Sequence, residues 1–328
     1  MLSRGADAVY WMCRYAERAE NVARFLDVSL QVTLDLPDSH DDPWQGVIAA
    51  TGEQTYFADR YGPASRDAVV RFLTVDDESP NSILSCVRQA RDNARSIREE
   101  ISSETWEQIN KWYLRVREAA AVDGVVEDPH DFLAAVKEAS YLFVGATYLT
   151  MTHGEGWHFG RLGRLLERAD QTSRIVDAKQ ALLLARPPDV GASLDEIHLS
   201  ALLRSVSALE MYRKRYGPFV HDLVIEFLVL DKLFPRSIRH CLGNAQDSLR
   251  SITGTPADAI GTKPERQLGR LAAEYEFGVV DDILQQGLHE HLDGLQLKLN
   301  EVGSAIYETF FASRSDPVTE LQRAEAAQ

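Results

Sequence analysis

Two Glu-Arg dipeptides, Glu17-Arg18 and Glu167-Arg168, sit 150 residues apart, and further arginines crowd both: Arg14 and Arg24 near the first, Arg161, Arg164 and Arg174 near the second. A guanidinium keeps its proton at any physiological pH and presents a flat fork of donors that matches a carboxylate or a phosphate. Such a set can tie the chain's own acids together, or it can hold an anionic ligand. Trp11, Tyr15 and Trp157 precede the dipeptides on the same stretches and count with the arginines as candidate substrate- or anion-binding residues. His158, three residues before Arg161, adds an imidazole that titrates near neutrality, so Glu17, Glu167 and His158 are the candidate acid–base groups.

The elements that carry these residues are helices. Apolar residues recur every three to four positions almost throughout, which predicts an all-α fold with helices over 5–35, 44–60, 64–75, 80–101, 103–121, 130–150, 156–185, 195–215, 218–231, 235–252, 266–277 and 281–313. Pro80 and Pro235 fit the first turn of the helices they precede. The stretches PDSHDDP at 37–43 and RPPDVG at 186–191 read as loops, and 316–328 as a flexible tail. On a helical wheel of about 100° per residue, Arg18 and Arg168 fall within the apolar arc of their helices, with Arg14 at its edge and Arg161 inside it. A buried guanidinium needs a counter-charge. One answer is internal: Glu17 bridges Arg168 while Glu167 bridges Arg18. The other is a cationic cleft built by Arg14, Arg18, Arg161, Arg164 and Arg168, flanked by Trp11, Tyr15 and Trp157.

The chain also matches itself. Residues 14–28 and 164–178 agree at six of fifteen positions, and 80–97 and 235–252 at nine of eighteen, including Cys86/Cys241. Chance agreement is about one position in fifteen, so the offset predicts a helical bundle of two pseudo-twofold repeats, 1–150 and 151–315, packed as one body.

With 35 Lys+Arg against 50 Asp+Glu the net charge is −15, which disfavours nucleic acid and anionic membrane as partners. The three cysteines form no disulfide framework or metal ribbon, and the opening residues lack a signal-peptide pattern, so a cytoplasmic setting is expected. Glu155 and His158 have the ExxH spacing of di-iron bundles, but the other half offers Gly5 and Ala8 there, so no metal site is expected. His289 and His291 diverge on a helix and read as a solvated face. Cys86 and Cys241 read as apolar fillers, and Trp106, Trp112 and Tyr113 as an aromatic cluster on a surface-like helix. No phosphate-loop, dinucleotide, nucleophile-elbow or zincin motif occurs.

The stretches LSRGADAVYWMCRYAERAENVAR and WHFGRLGRLLERAD resemble the two signature stretches of the bacterial alpha-E family, and the likeness covers nearly the whole chain. That resemblance implies an all-helical protein encoded beside, or fused to, a circularly permuted ATP-grasp ligase, often with a transglutaminase-like peptidase nearby. It implies ATP-driven amide-bond formation on a peptide or small amino-acid substrate. The family motif falls on Glu17, Arg18, Glu167 and Arg168, with Tyr10, Trp11 and Trp157 as its aromatic positions. The expected partner is the ATP-grasp protein as a separate chain, which holds ATP and Mg; this chain is expected to bind no cofactor. The leading reading is therefore an accessory subunit of a peptide ligase system, with the arginine cleft receiving a carboxylate or acyl-phosphate. An enzyme in its own right, transferring acyl or aminoacyl groups to a peptide, and a purely structural scaffold are the alternatives.

Overall fold

A computed structural model describes residues 3–35, 43–122, 124–184, 192–256 and 258–312, and these residues are helical, with no strand among them. The first half holds α1 (Ser3–Asp35), α2 (Pro43–Thr51), α3 (Gln54–Tyr61), α4 (Arg66–Thr74), α5 (Ile83–Ser96), α6 (Ser103–Ala120), the short α7 (Gly124–Glu127) and α8 (His130–Thr150). The second holds α9 (Glu155–Leu184), α10 (Ala192–Ser205), α11 (Leu209–Tyr216), α12 (His221–Leu230), α13 (Ile238–Thr253), α14 (Lys263–Glu276), α15 (Val280–Gln286), α16 (Leu288–Ile306) and a π-helical turn, Tyr307–Phe311.

The two longest helices, α1 and α9, pack along each other; α5 lies on α1 and α13 on α9, while α6 and α8 cover one side and α14 and α16 the other. One hydrophobic core runs from Ala6 on α1 to Phe311 and draws on both halves. Close approach of α1 and α9 depends on two glycines. A β-carbon at Gly160 would stand 2.9 Å from the Cys13 sulfur, and one at Gly163 would collide with the Tyr10 carbonyl oxygen. With no side chain at these two positions, the arginines and glutamates one and two turns further on are brought within reach across the seam.

The structure departs from the periodicity in instructive ways. The helix predicted over 44–60 breaks at Gly52, that over 195–215 at Ser207 and that over 281–313 at Gly287, each with a positive φ (74°, 54° and 102°). An apolar period that continues in register past such a residue conceals the break. Pro80 and Pro235 are not in the first turns of their helices. Each stands two residues before a serine cap, Ser82 accepting from the Ser85 amide and Ser237 from the His240 amide. Trp112 is not on a surface-like helix face but buried against Phe143, whereas Trp106 and Tyr113 are only partly buried and are covered by Arg91, Arg98 and Arg117. Cys86 and Cys241 are fully buried, and burial pushes both thiols up to about 12. The loops expected at 37–42 and 186–191 and the tail at 316–328 lie outside the described residues, and Pro43 opens α2.

Replacing Gly163 with Ala is expected to force α1 and α9 apart and to destabilise the fold by about 1–3 kcal/mol, the range for overpacking a close contact. Gly294→Ala, where a β-carbon meets open space in α16, is expected to stabilise it by about 0.5–1 kcal/mol. Chemical denaturation of the two variants checks both signs.

Candidate functional site

Glu167, on α9, is wholly buried and its carboxylate is gripped by two guanidiniums of α1. Arg18 makes a bidentate fork, Nε to one oxygen at 2.6 Å and Nη2 to the other at 3.0 Å. Arg14 adds its Nε at 2.9 Å. Gln171, one turn along α9, donates at 3.2 Å, and Asn81 accepts from the remaining Arg18 amino group at 2.5 Å. Arg14 lies over the Trp11 ring, 4.9 Å from its centre, and Arg18 over Tyr15 at 5.7 Å.

The reverse arrangement holds Glu17. Arg168 of α9 forks onto it with Nε at 2.7 Å and Nη2 at 2.8 Å. Asn21, one turn along α1, donates to it at 3.1 Å. A second cation comes from Arg236, whose guanidinium reaches Glu17 at 3.3 Å, Asn21 at 2.8 Å and buried Glu20 at 2.7 Å. Glu20 also takes Arg24, which in turn donates to the Tyr141 hydroxyl at 2.6 Å. The double clasp read from the sequence is therefore present in both directions. Burial on its own would push both glutamates up. Arg168 and Arg236 outweigh it at Glu17, Arg18 and Arg14 outweigh it at Glu167, and both carboxyls are held down at about 2.

The remaining arginines divide. Arg174 pairs through Nε with Asp170 at 2.9 Å. Arg161 has no carboxylate: it binds the Asn244 carbonyl at 3.1 Å and the Ser248 hydroxyl at 2.9 Å, and also the Asn244 side-chain oxygen, and it stands over Trp157 at 5.7 Å. Burial and then the Arg161 charge push the His158 imidazole down, and its enclosed Nδ1 meets no acceptor. Around Glu17, Glu20, Glu167 and Asp170 the fold thus gathers Arg14, Arg18, Arg24, Arg164, Arg168, Arg174 and Arg236, a local excess of positive charge inside an acidic protein.

Beside the Arg18–Glu167 fork a cleft of about 130 Å³ opens between α1 and α9. Its polar lining is Arg18, Asn21, Asn81, Gln171, Arg174 and Asp170, and its apolar floor is Val22, Phe25, Leu73 and Ile175. Trp11 and Arg14 border a separate groove of about 570 Å³ against α16 and the π-helical turn. Arg161 reaches α13, and Trp157 stacks on His153 with His158 at its edge. Of the sequence-predicted residues, Glu17, Glu167, Arg14, Arg18 and Arg168 share one charge network, with Arg18 at the cleft and Trp11 and Arg14 at the groove.

A model of the Alpha-E family, described as a predicted alpha-helical domain with a conserved ER motif, matches residues 1–311. The chain belongs to the Alpha-E family. It is similar to uncharacterized proteins of Mycobacterium bovis and of Mycobacterium tuberculosis strain CDC 1551, 27% identical in each case over 340 residues, and to one of strain H37Rv at 26%. Each match covers 93% of this chain and 36% of the relative, so the chain spans about a third of the length of these proteins. No solved structure matches.

Both Glu-Arg dipeptides of this Alpha-E chain form the clasp. What sequence reasoning missed is their supporting set: Arg236, Asn81, Glu20, Asn21 and Gln171. Positions 81 and 236 correspond in the self-alignment and carry Asn and Arg, so the signal was a mismatch between repeats rather than a match. Among the described residues no group of three or more His, Cys, Asp or Glu could hold a metal ion, and Glu155 is exposed. Nor is any helix of the described residues long and apolar enough to cross a membrane.

Glu167→Gln is expected to cost about 3–5 kcal/mol, because it strands Arg14 and Arg18 without a counter-charge. The folded-state pKa values of Glu17 and Glu167 are depressed, so their contribution to stability is complete above the unfolded value near 4.5 and is lost as pH falls toward about 2. Denaturant midpoints measured between pH 7 and pH 2 should fall along that limb, and less steeply in Glu167→Gln.

Proposed function

We propose that this chain is the partner subunit of an ATP-grasp ligase system that forms amide bonds on a peptide or small amino-acid substrate, with the cleft beside Arg18 and Arg174 receiving a carboxylate or acyl-phosphate group. The observation that carries this reading is the cleft itself. Its 130 Å³ is many times the ~10–15 Å³ that a single water needs, and it abuts the clasp rather than being filled by it. Among the described residues Arg174 bonds only through Nε, to Asp170, which leaves its two terminal amino groups to fork onto an incoming oxyanion. Asn81 and Gln171 stand at the same opening as amide donors and acceptors, and Val22, Phe25, Leu73 and Ile175 supply an apolar wall for the substrate's carbon skeleton.

ATP and Mg belong to the partner in this reading; the chain's own residues bind and orient. Glu17 and Glu167 serve to position rather than to move protons, because guanidiniums occupy both oxygens of each and hold the carboxyls near 2. That geometry weighs against the acyl-transferring enzyme, whose bases these would be. The open cleft weighs against a pure scaffold. Docking of a second protein is supported by α8, where Tyr141, Leu142, Tyr148 and Leu149 leave an exposed apolar stripe, Leu149 at 80% exposure.

The test follows ATP hydrolysis and product mass with this chain alone, the ligase alone and the two together. Turnover should require both proteins; full turnover by either one alone would overturn the reading. Arg174→Ala should lower product formation at least tenfold while leaving the melting temperature within a few degrees of the parent, since its lost i,i+4 pair is worth only about 0.3–0.5 kcal/mol.

A further inference from the structure

Arg164 occupies, in the second half, the position that Arg14 occupies in the first. Arg14 gives its Nε to Glu167. The corresponding acid for Arg164 would be Glu17, but Glu17 is already forked by Arg168 and reached by Arg236 and Asn21. The difference lies at one site: Arg236 stands where the first half has the neutral Asn81. Arg236 is a second cation on Glu17, at the oxygen that the Arg168 Nε already holds, and competes with Arg164 for the charge of that carboxylate.

The result is a guanidinium deep in the structure with nothing to hold. Its Nε is enclosed and meets no acceptor, and it takes part in no hydrogen bond or ion pair among the described residues. Its neighbours help little. Arg168 and Arg161 are cations, and Cys13, whose thiol burial pushes up to about 11, carries no charge at neutral pH. Glu17 attracts Arg164, but it makes no hydrogen bond or ion pair with it among the described residues. Burial first, and then Arg168, push the Arg164 guanidinium down from its ordinary value, and the pull of Glu17 does not reverse this. An arginine does not shed its proton in response, so the charge stays and its desolvation is only partly offset by the protein. The side chain is not sealed, however: the residue as a whole is only partly buried, and Nε is its one enclosed, unpartnered nitrogen, so the terminal amino groups reach solvent-accessible space.

We propose that Arg164 anchors an oxyanion site, distinct from the Arg18–Arg174 cleft, in which a carboxylate or phosphate group of a small ligand takes the counter-ion place that Glu167 fills for Arg14. Arg168 and Arg161 flank it and add field from either side. The site is independent of the ligase reading, because it rests on the unpartnered Arg164 Nε and on no feature of the cleft.

Thermal melting and equilibrium titration of the full chain, in a chloride buffer free of oxyanions, test this with inorganic phosphate and with acetate as separate probes. Either probe should raise the melting temperature of the parent saturably, and the stronger one names the class. Arg164→Met should weaken that probe at least tenfold, which is about 1.4 kcal/mol, and in the oxyanion-free buffer should melt no lower than the parent. Arg236→Asn keeps Arg164 but frees Glu17 for it, and should weaken the probe as well; it also decides the matter should Arg164→Met fail to fold. Arg174→Ala should retain the response, which separates this site from the cleft. A parent insensitive to both probes, or an equal response in Arg164→Met or in Arg236→Asn, would overturn the proposal.

Discussion

A buried guanidinium must be matched by negative charge, and in this fold that requirement is met across the seam between its two longest helices. Glu17 and Arg18 are adjacent on α1, Glu167 and Arg168 on α9, and each acid is forked by the arginine of the other helix. The interaction is thus unavailable to either helix alone and depends on their mutual register. Attraction in a low-dielectric interior is strong, but so is the desolvation that opposes it, and such pairs add little net stability over an apolar core of equal volume. Their consequence is specificity of assembly: a slip of one residue along α1 would bring Ala19 or Glu17 to the place of Arg18 and leave charges buried unpaired.

Much of this was legible in the residues. The helical period, the inward direction of Arg18 and Arg168 and the reciprocal pairing all follow from sequence, because 3.6-residue periodicity fixes which side chains share a face and burial fixes what a charged one requires. Illegible were features set by three-dimensional neighbours. Nothing in the local pattern around Arg14 distinguishes it from Arg164, yet one is spent on Glu167 and the other is left over. Arg236 lies 219 residues from Glu17, so no spacing rule links them. The breaks at Gly52, Ser207 and Gly287 were hidden for a related reason: apolar residues on the two sides remain in phase with the same core, and a turn of opposite handedness does not disturb that phase.

The self-similarity of the sequence matters most where it fails. Were positions 81 and 236 alike, each glutamate would meet the same three partners and the charge of the network would be evenly distributed. With Asn81 on one side, Arg18 is completed by a neutral amide and a cleft opens between α1 and α9; with Arg236 on the other, an extra cation fills the matching space and reaches both Glu17 and Glu20. The two Glu-Arg dipeptides thereby have different surroundings: Asn81 and the cleft beside Arg18, Arg236 beside Glu17 and Glu20.

This asymmetry also explains how an acidic protein comes to hold a cationic interior. The net charge of −15 is spread over a solvated surface, where it is screened within about a Debye length, whereas the arginines around the clasp act in a medium that screens them little. An anion approaching from solution is repelled weakly at long range and attracted strongly only once it has entered a gap lined by guanidiniums. Under the proposed reading, selection falls on small compact anions able to shed their water inside the fold, and long polyanions are kept outside by the surface field. Arg24 extends the same network outward, joining buried Glu20 to the Tyr141 hydroxyl on the exposed face of α8, so that face is linked by hydrogen bonds to Arg236, which also holds Glu17.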